Sequence, residues 1–542
     1  MIVISPKVNG KQSSADVRKA AYGALKLSVY LFWAVAIVLP MISMLSNIAH
    51  VDVARILSSR TFVKALRQSI TVSSLATAIS VSWAALLAWC ITRTRIRYRG
   101  LLTVLFALPM LIPSISHGMG MIILFGSNGI LRNLLGLSGT IYGFWGIVTG
   151  SVMYSFPVAF LMLYDVLRYE DSTPYEAAQV LGISVWNRFT AITLPYLRKP
   201  LISVVFATFA MIVTDYGVPL MIGGKYSTLP VVMYQDVIGM LDFGKGSLIG
   251  LILLAPALVA CILDILNRDR GNAAFVTKPF ELKPSRIRDG IAVVVSIFTG
   301  IAVILPIGMF AYISVVGKYP VDMSFSLANI AQALDMHVGT YLRNSLLIAV
   351  FVAVLGTALA TFLSYLTART PSKDSKLLHL LSISSLAVPG IVLGLSYILF
   401  FKGTLIYGTF AILILVNMMH FFSSPYLMMY NTFGKLNPNL EAVGATLGIS
   451  RLKVFRDVLL PQSAGTILEM LSYFFVNSMM TISAVSFLAT VSIKPVALMI
   501  TQFEGQMQLE SAAFVSVITL FINMTVKAAV YLIKRGLTKR ST

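Results

Sequence analysis

Residues 176–184 read Glu-Ala-Ala-Gln-Val-Leu-Gly-Ile-Ser, and the segment closes at Leu194-Pro195. The pattern returns 266 positions later, where residues 442–450 read Ala-Val-Gly-Ala-Thr-Leu-Gly-Ile-Ser and the segment closes at Leu460-Pro461. In both copies Leu-Gly-Ile-Ser is identical, and its glycine stands 13 residues before the proline. Two matched polar segments in a largely apolar chain of 542 residues indicate an internal duplication.

Each copy predicts a helix, a turn and a second helix. Good helix formers run from Glu176 to Leu181, and Gly182 permits the positive φ that ends a first helix. Ser184 can cap the second helix, and Pro195 is expected to end it. A single copy would be typical of an amphipathic elbow between two membrane spans. Two copies at matched positions favour a docking element that is used twice.

The pattern resembles the EAA loop of permease subunits of bacterial ABC importers, and the chain resembles the fused, binding-protein-dependent form with two permease halves. The resemblance implies that each loop is a coupling helix on a cytoplasmic ATPase. The second loop departs from the family pattern, because Glu441 stands one place before the position of the acid, which Ala442 occupies. The residues assigned to coupling are Glu176, Ala177, Ala178, Gly182 and Pro195 in loop 176–195, and Glu441, Ala442, Gly448 and Pro461 in loop 441–461.

Composition places the chain in a membrane. It is 57% hydrophobic and 12% charged, with a mean hydropathy of +0.84, whereas soluble globular domains carry about 25% charged residues. The net charge of +21 is typical of basic loops that set membrane topology, and nucleic acid is not an expected partner. Cys90 and Cys261 predict neither a disulfide framework nor a metal site.

Apolar runs predict an all-α polytopic protein of about 12 spans in two parallel six-helix repeats, as in type I ABC importer permeases. A second alignment supports the repeat, because Leu66-Arg67-Gln68-Ser69 matches Leu342-Arg343-Asn344-Ser345 and Pro113 matches Pro389. We assign residues 1–266 to the first half, 267–288 to a cytoplasmic linker and 289–542 to the second half. The predicted spans are about 27–46, 69–91, 101–125, 144–164, 201–222 and 246–266, then 290–316, 345–366, 379–400, 407–430, 466–489 and 511–533.

Charge predicts the orientation of these spans. Most of the 42 Lys and Arg residues fall on the side that carries both loops, both termini and the linker, and Arg93, Arg95, Arg97 and Arg99 are the clearest group. Basic residues favour the cytoplasmic side. We therefore expect a bacterial inner-membrane protein with cytoplasmic termini. The first run, about 27–46, has no small-residue cleavage site and is expected to remain as a span.

The sequence contains no G-x-x-x-x-G-K-[ST] phosphate-binding loop, and no catalytic or metal-ligating pattern stands out among five His and two Cys residues. We expect no cofactor in this chain and no enzymatic activity. ATP and Mg²⁺ would belong to two copies of a cytoplasmic ATP-binding subunit, and a solute-binding protein would dock outside the cytoplasm. The remaining expected partner is membrane lipid. The alternative from another class is an ion-driven secondary transporter, although such carriers commonly use inverted repeats.

Polar side chains within spans are candidates for the substrate path, because they are costly there. We single out Asp215, Tyr216, His117, Asn477, Ser478 and Thr481. Asp215 could instead be hydrated near the outer end of its span. The small polar residues near Asn477 could instead bond neighbouring helices, as could His117.

The segment from Thr214 to Gly244 resembles fused permeases assigned to 2-aminoethylphosphonate, and similar fused permeases serve ferric iron, thiamine, polyamines or sugar phosphates. One carboxylate for an amine, with hydroxyl donors for the phosphonate oxygens, would suit the phosphonate. Ferric iron would favour clustered carboxylates or tyrosines, and no such cluster is evident in the spans. The sequence therefore favours a small polar or anionic solute such as 2-aminoethylphosphonate, with ferric iron as the alternative.

Overall fold

A computed structural model describes residues 23–24, 26–267, 278, 280–282, 284–370 and 373–541. The residues before the first predicted span and most of the predicted linker lie outside these residues. The long helices of the first half are Lys26–His50, Arg60–Arg93, Phe144–Arg168, Val185–Val213 and Phe243–Asn267, with a bent pair Arg99–Leu111 and Ser114–Leu134. Shorter helices are Val53–Ser58, Thr173–Val180, Gly217–Ile222 and Leu229–Met240.

The second half repeats this order. Its long helices are Arg286–Ile313, Val338–Ala368, Ala464–Met480 and Leu509–Leu537, with bent pairs Asp374–Ala387 and Gly390–Phe401, and Phe410–His420 and Ser423–Lys435. Shorter helices are Ala328–Asp335, Leu440–Thr446, Arg451–Val454 and Ala497–Gly505. The strands Val316–Lys318 and Asp322–Phe325 form an antiparallel hairpin. We call the end of the bundle with both loops the linker face, and the end with this hairpin the hairpin face.

Eight described helices are long and apolar enough to cross a membrane, and the three bent pairs raise the number to 11. The remaining predicted span, 466–489, corresponds to Ala464–Met480, a helix of 17 residues. The all-α polytopic class is confirmed, and the structure corrects several spans. The predicted spans 201–222 and 466–489 end as helices at Val213 and Met480. Residues 214–216 and 481–496, respectively, separate them from the next helix.

Three predicted spans are not straight. The pairs that replace 101–125, 379–400 and 407–430 are bent by 98°, 107° and 54°. In the first two the bend falls at Pro113 and Pro389, each of which precedes the second helix of its pair. Proline lacks the N–H that a continuous helix needs and disfavours the helical conformation of the preceding residue.

A buried hydrogen bond is repeated in the two halves. The N–H of Leu229 donates to Ser69 Oγ at 2.7 Å, and the N–H of Val496 donates to Ser345 Oγ at 2.7 Å. Ser69 and Ser345 were aligned from the sequence, and each ties the second span of its half to the helix that follows the broken fifth span. The duplication therefore extends to individual contacts in the fold.

The halves interlock through their first spans. Tyr397 Oη of the second half donates to the carbonyl of Ala36 at 2.7 Å, so the first span packs on the second half. Trp83 Nε1 of the first half donates to Thr299 Oγ1 at 3.1 Å, so the span Arg286–Ile313 packs on the first half. Each half thus lends its first span to the other, and the two cannot separate without breaking both contacts.

Candidate functional site

The first loop is the predicted helix, turn and helix. Thr173–Val180 carries Glu176, Ala177 and Ala178, and Gly182 has φ +69°. Ser184 caps the second helix, since its Oγ accepts from the N–H of Asn187 at 3.3 Å. The positive φ and the cap confirm the conformation predicted for this turn.

The second loop has the same local geometry. Leu440–Thr446 carries Glu441 and Ala442, Gly448 has φ +70°, and Ser450 Oγ accepts from the N–H of Lys453 at 3.3 Å. Local sequence is enough to specify this turn, because the glycine and the serine act on their own backbone neighbours.

The prolines that close the loops do not end the second helices, contrary to the prediction. The helix from Val185 runs through Pro195 to Val213, and the one that starts at Arg451 passes Pro461. Each proline follows a π-helical turn, Phe189–Thr193 or Phe455–Leu459. Such a turn shifts the hydrogen-bond register, and the missing N–H is accommodated without a break. Each second helix therefore joins its loop directly to a membrane span.

Both loops expose apolar side chains at the linker face. In the first loop Val180, Leu181, Val185 and Trp186 are at least 70% exposed. In the second, Leu447 and Leu452 are 69% and 75% exposed. These residues cluster at the turns, where the long helices begin, and clustered exposed apolar residues are typical of interaction surfaces.

The acidic residues of the two loops have different surroundings. Glu176 is half exposed, and its carboxylate accepts from Lys278 Nζ at 2.8 Å and from Ser172 Oγ at 3.0 Å. The hydrogen bonds from Lys278 and then Ser172 lower the pKa of Glu176. Lys278 belongs to the linker, so the linker contacts the first loop.

Glu441 is instead anchored inside its own half. Arg369 Nε donates to Glu441 Oε1 at 2.8 Å, and the same guanidinium donates to the carbonyls of Phe433, Leu436 and Asn437. Burial raises the pKa of Glu441, but the hydrogen bond from Arg369, a backbone hydrogen bond and the charges of Arg369 and Arg451 together hold the pKa below its usual value. The departure of the second loop from the family pattern thus has a structural reason, because this acid holds the loop.

The corresponding anchor of the first half is Arg93, 276 positions before Arg369. Arg93 forms a salt bridge with Glu170, to which Tyr175 Oη donates. Tyr175 stands at the position of Glu441 in the repeat. Sequence reasoning used Arg93 only for topology and did not identify Arg93 or Arg369 as anchors of the loops. The repeat pointed to them, because Arg93 and Arg369 are as far apart in the chain as Ser69 and Ser345.

A cavity of about 570 Å³ lies between the halves. Its polar lining comes from the fourth and sixth spans of the first half, from the break after Val213 and from the second half. Asp215, Tyr154, Asp264, His420, Tyr473, Ser424 and Ser483 line it. Asp215 accepts from the N–H of Val218 at 3.0 Å and from the Ser114 hydroxyl, which fixes its carboxylate at the broken span.

Of the predicted path residues, Asp215 lines this cavity and the other five do not. Tyr216 is buried, bonds Ser486 through its hydroxyl and stacks on Tyr234. His117 Nε2 lies 3.1 Å from the carbonyl of Pro109. Asn477 Nδ2 donates to the carbonyl of Tyr473 at 2.8 Å. Ser478 and Thr481 are buried.

Sequence reasoning missed two tyrosines and a histidine in this cavity. Tyr154 and Tyr473 are within electrostatic range of each other, and Tyr154 also of Asp215. The sequence showed no cluster of carboxylates or tyrosines in the spans. The structure corrects this, because Asp215, Tyr154 and Tyr473 line one cavity. The repeat could have identified two of these residues, because Tyr154 and His420 are 266 positions apart and stand at matched positions in the fourth spans of the two halves. Among the described residues, no group of three His, Cys, Asp or Glu side chains could hold a metal ion.

Comparison with known proteins assigns the family. Residues 80–268 and 360–539 match the binding-protein-dependent transport system inner membrane component family. The chain belongs to this family. Each of the two matches contains one of the loops, and together with the apolar spans they establish a multi-pass inner-membrane protein.

Individual relatives differ in how much of the chain they cover. The ferric transport system permease protein FbpB of Actinobacillus pleuropneumoniae is 26% identical over 460 residues, which cover 81% of this chain and 66%, just under two thirds, of the relative. The molybdenum transport system permease protein ModB of Azotobacter vinelandii is 31% identical over 180 residues, or 32% of this chain and 80% of the relative. Both relatives are transport permeases. A crystal structure of a bacterial alginate ABC transporter matches 47% of this chain and 94% of its own at 18% identity, with a TM-score of 0.38.

Proposed function

We propose that this chain is the membrane subunit of an ATP-dependent, binding-protein-dependent importer, which forms the substrate path and couples to ATPases through its two loops. The observation that supports this is the pair of glycine turns, each exposing apolar side chains at one face of the bundle and each continuous with a membrane span. Two copies of an ATP-binding subunit would bind there, carrying ATP and Mg²⁺. The linker face would be cytoplasmic, with both termini, and a solute-binding protein would dock on the hairpin face.

The coupling argument is mechanical. A loop can transmit motion only if it is stiff and joined to an element that moves. The capped helix after Gly182 runs into its fifth span as one helix, whereas the one after Gly448 reaches its fifth span through a single turn residue, Ser463. These spans end at Val213 and Met480 beside the central cavity. A displacement of either loop would therefore reach the cavity lining along the helical segments that follow its turn.

Removal of the exposed apolar side chains tests the docking surface. We expect the double variant Trp186→Ser and Leu452→Ser to lower the affinity for the ATPase subunit by at least roughly tenfold, because buried Trp and large aliphatic residues dominate interface energies. Co-purification and titration of the ATPase measure this. Tyr98→Ser removes an exposed ring outside both loops and is the control. Unchanged affinity in the double variant would contradict the coupling role.

The central cavity supports a small zwitterionic solute, and we propose 2-aminoethylphosphonate. Asp215 supplies one carboxylate for an ammonium group. The hydroxyls of Tyr154, Tyr473 and Ser424 are donors for phosphonate oxygens. On the hairpin face a second cavity, about 720 Å³, is lined by Arg60, Lys64 and Arg67, and such a basic mouth would attract an anionic group.

Ferric iron is the second candidate, and a specific observation favours it. Carboxylate, phenolate and imidazole groups are ligands of iron in proteins, and Asp215, Tyr154, Tyr473 and His420 line one cavity. The FbpB relative is a ferric transport permease. Iron would be the transported substrate here.

Uptake into proteoliposomes that contain the chain, its ATPase and its binding protein separates the two solutes. With the phosphonate as substrate, labelled 2-aminoethylphosphonate accumulates and Asp215→Asn lowers uptake strongly while assembly stays normal. With iron as substrate, radioactive iron accumulates and Tyr154→Phe with Tyr473→Phe lowers uptake strongly. Tyr164→Phe, in the same span as Tyr154, is the control. Normal uptake in Asp215→Asn would remove that residue from the path.

A further inference from the structure

A third cavity lies at the linker face of the first half and has a volume of about 570 Å³. It opens between the second and fourth spans, the first loop and residues 280–282 of the linker. Its walls are mostly apolar and come from membrane spans. They include Leu86, Trp89, Leu163, Leu167, Leu197 and Leu201.

The mouth of this cavity carries charged side chains. Arg93 is held by Glu170 and lies over the ring of Phe280 at 3.6 Å, and Arg288 pairs with Asp289. Arg188 also lines the cavity, and its Nε is buried without a hydrogen-bond partner. A buried guanidinium donor left unmatched is costly, so an anionic acceptor would be stabilised there.

In the second half the corresponding positions are filled by the chain itself. Tyr365 replaces Trp89, and its ring packs on Phe455 at 4.9 Å. Phe433 replaces Leu167 and is fully buried. Val454, 5% exposed, replaces Arg188, so the unmatched donor has no counterpart. The fold therefore does not require a cavity at this position, since the second half fills it with side chains and the first half leaves it open.

We propose that this cavity binds one anionic phospholipid of the adjoining leaflet, with its phosphate on Arg188 and an acyl chain along Leu86, Leu163 and Leu197. Two observations support the bilayer as the source. Leu86 and Trp89 are 36% and 40% exposed on the outside of a membrane span, so the apolar wall continues to the lipid-facing surface. Tryptophan favours the membrane interface, and basic pockets between spans on the cytoplasmic side bind anionic headgroups.

This site does not depend on the proposed transport activity. Its lipid would contact the first loop at Phe189, the linker at Phe280 and the second span at Trp89 together. The second loop is held by Arg369 and Glu441 instead. The structure thus assigns to a lipid, in the first half, part of the packing that side chains provide in the second.

The test uses the purified full chain in nanodiscs and the fluorescence of Trp89. Bromine on an acyl chain quenches a nearby indole, and the difference between the wild-type chain and Trp89→Tyr isolates the Trp89 signal. We expect brominated phosphatidylglycerol at low mole fraction to quench Trp89 at least about tenfold more effectively than brominated phosphatidylcholine. Equal quenching by the two lipids would show ordinary lipid contact and overturn the proposal.

Variants and a soluble competitor complete the test. Arg188→Gln is expected to remove most of the preference for phosphatidylglycerol, and so is the pair Leu167→Phe with Arg188→Val, which introduces the residues of the second half. Arg198→Gln removes the same charge from an exposed position and should change nothing. Loss of the preference in Arg198→Gln as well, or displacement of the lipid by millimolar glycerol 1-phosphate, would overturn a phospholipid site. Mass spectrometry of lipids retained by the wild-type chain gives a second measurement that needs no variant.

Discussion

Around Arg93 the first loop is held by Glu170, Tyr175 and the linker, whereas around Arg369 the second loop is held by Glu441 and three backbone carbonyls. The turns themselves are nearly identical, with φ values of +69° and +70° at their glycines. Duplication has therefore kept the geometry of the proposed docking element and changed the contacts behind it. A surface that must fit a partner is constrained by shape, while its support needs only to be firm.

The linker adds to this difference. Lys278 pairs with Glu176, and Phe280 packs on Arg93 and Tyr175. Burial, followed by the hydrogen bond to Glu170, raises the pKa of Tyr175, which therefore stays a neutral donor at neutral pH. The first loop is thus supported by a segment that joins the halves, and the second by its own half.

The largest effect is expected where the two loops are alike. Gly182→Val with Gly448→Val should abolish ATPase stimulation and uptake, because positive φ costs an L-residue about 1–2 kcal/mol at each site. A Cβ at either position would meet open space, so the cost is in the backbone alone. Uptake and ATPase assays measure it. Gly434→Val, at an exposed helical position without positive φ, is the control. Normal coupling in the double variant would contradict a coupling role for the two glycine turns.

The next effect should separate the two anchors. Arg369→Gln leaves a partly buried carboxylate and three carbonyls without their donor, and we expect a loss of about 3 kcal/mol. Arg93→Gln should cost less, because Tyr175 still donates to Glu170. The denaturation midpoints of the purified variants give the order. Arg369→Met with Glu441→Met removes both charges and should recover much of the stability, and a reversed order of the two single variants would contradict this account.

A smaller effect should be equal in the two halves. Ser69→Ala and Ser345→Ala each leave one buried backbone N–H without its acceptor, at a cost of about 1–2 kcal/mol. The same denaturation measurement applies, with Ser58→Ala on the exposed surface as the control. A difference of more than about 1 kcal/mol between the two variants would mean that the repeated contact is not equivalent in energy.

The smallest effect concerns the linker contact. Lys278→Glu should weaken coupling slightly, and adding Glu176→Lys should restore it, because the pair is half exposed and weak. The lowered pKa of Glu176 implies that the contact is complete at neutral pH and is lost as the pH falls through that lowered pKa. ATPase stimulation as a function of pH measures both effects. Lys225→Glu is the control, and no rescue by the charge swap would exclude a direct role for this pair.

The sequence by itself determined the duplication, the all-α membrane class and the two glycine turns with their serine caps, because these features depend on composition and on contacts between residues close in the chain. Only the tertiary structure decided the exchange of first spans, the pairing of Arg369 with Glu441, and the meeting of Asp215, Tyr154 and Tyr473 at one cavity. Those contacts join residues dozens to hundreds of positions apart, and the packing of whole helices sets their distances. The structure alone also showed that the helix continues through Pro195. A proline is expected to end a regular helix, but the π-helical turn before Pro195 accommodates its missing N–H.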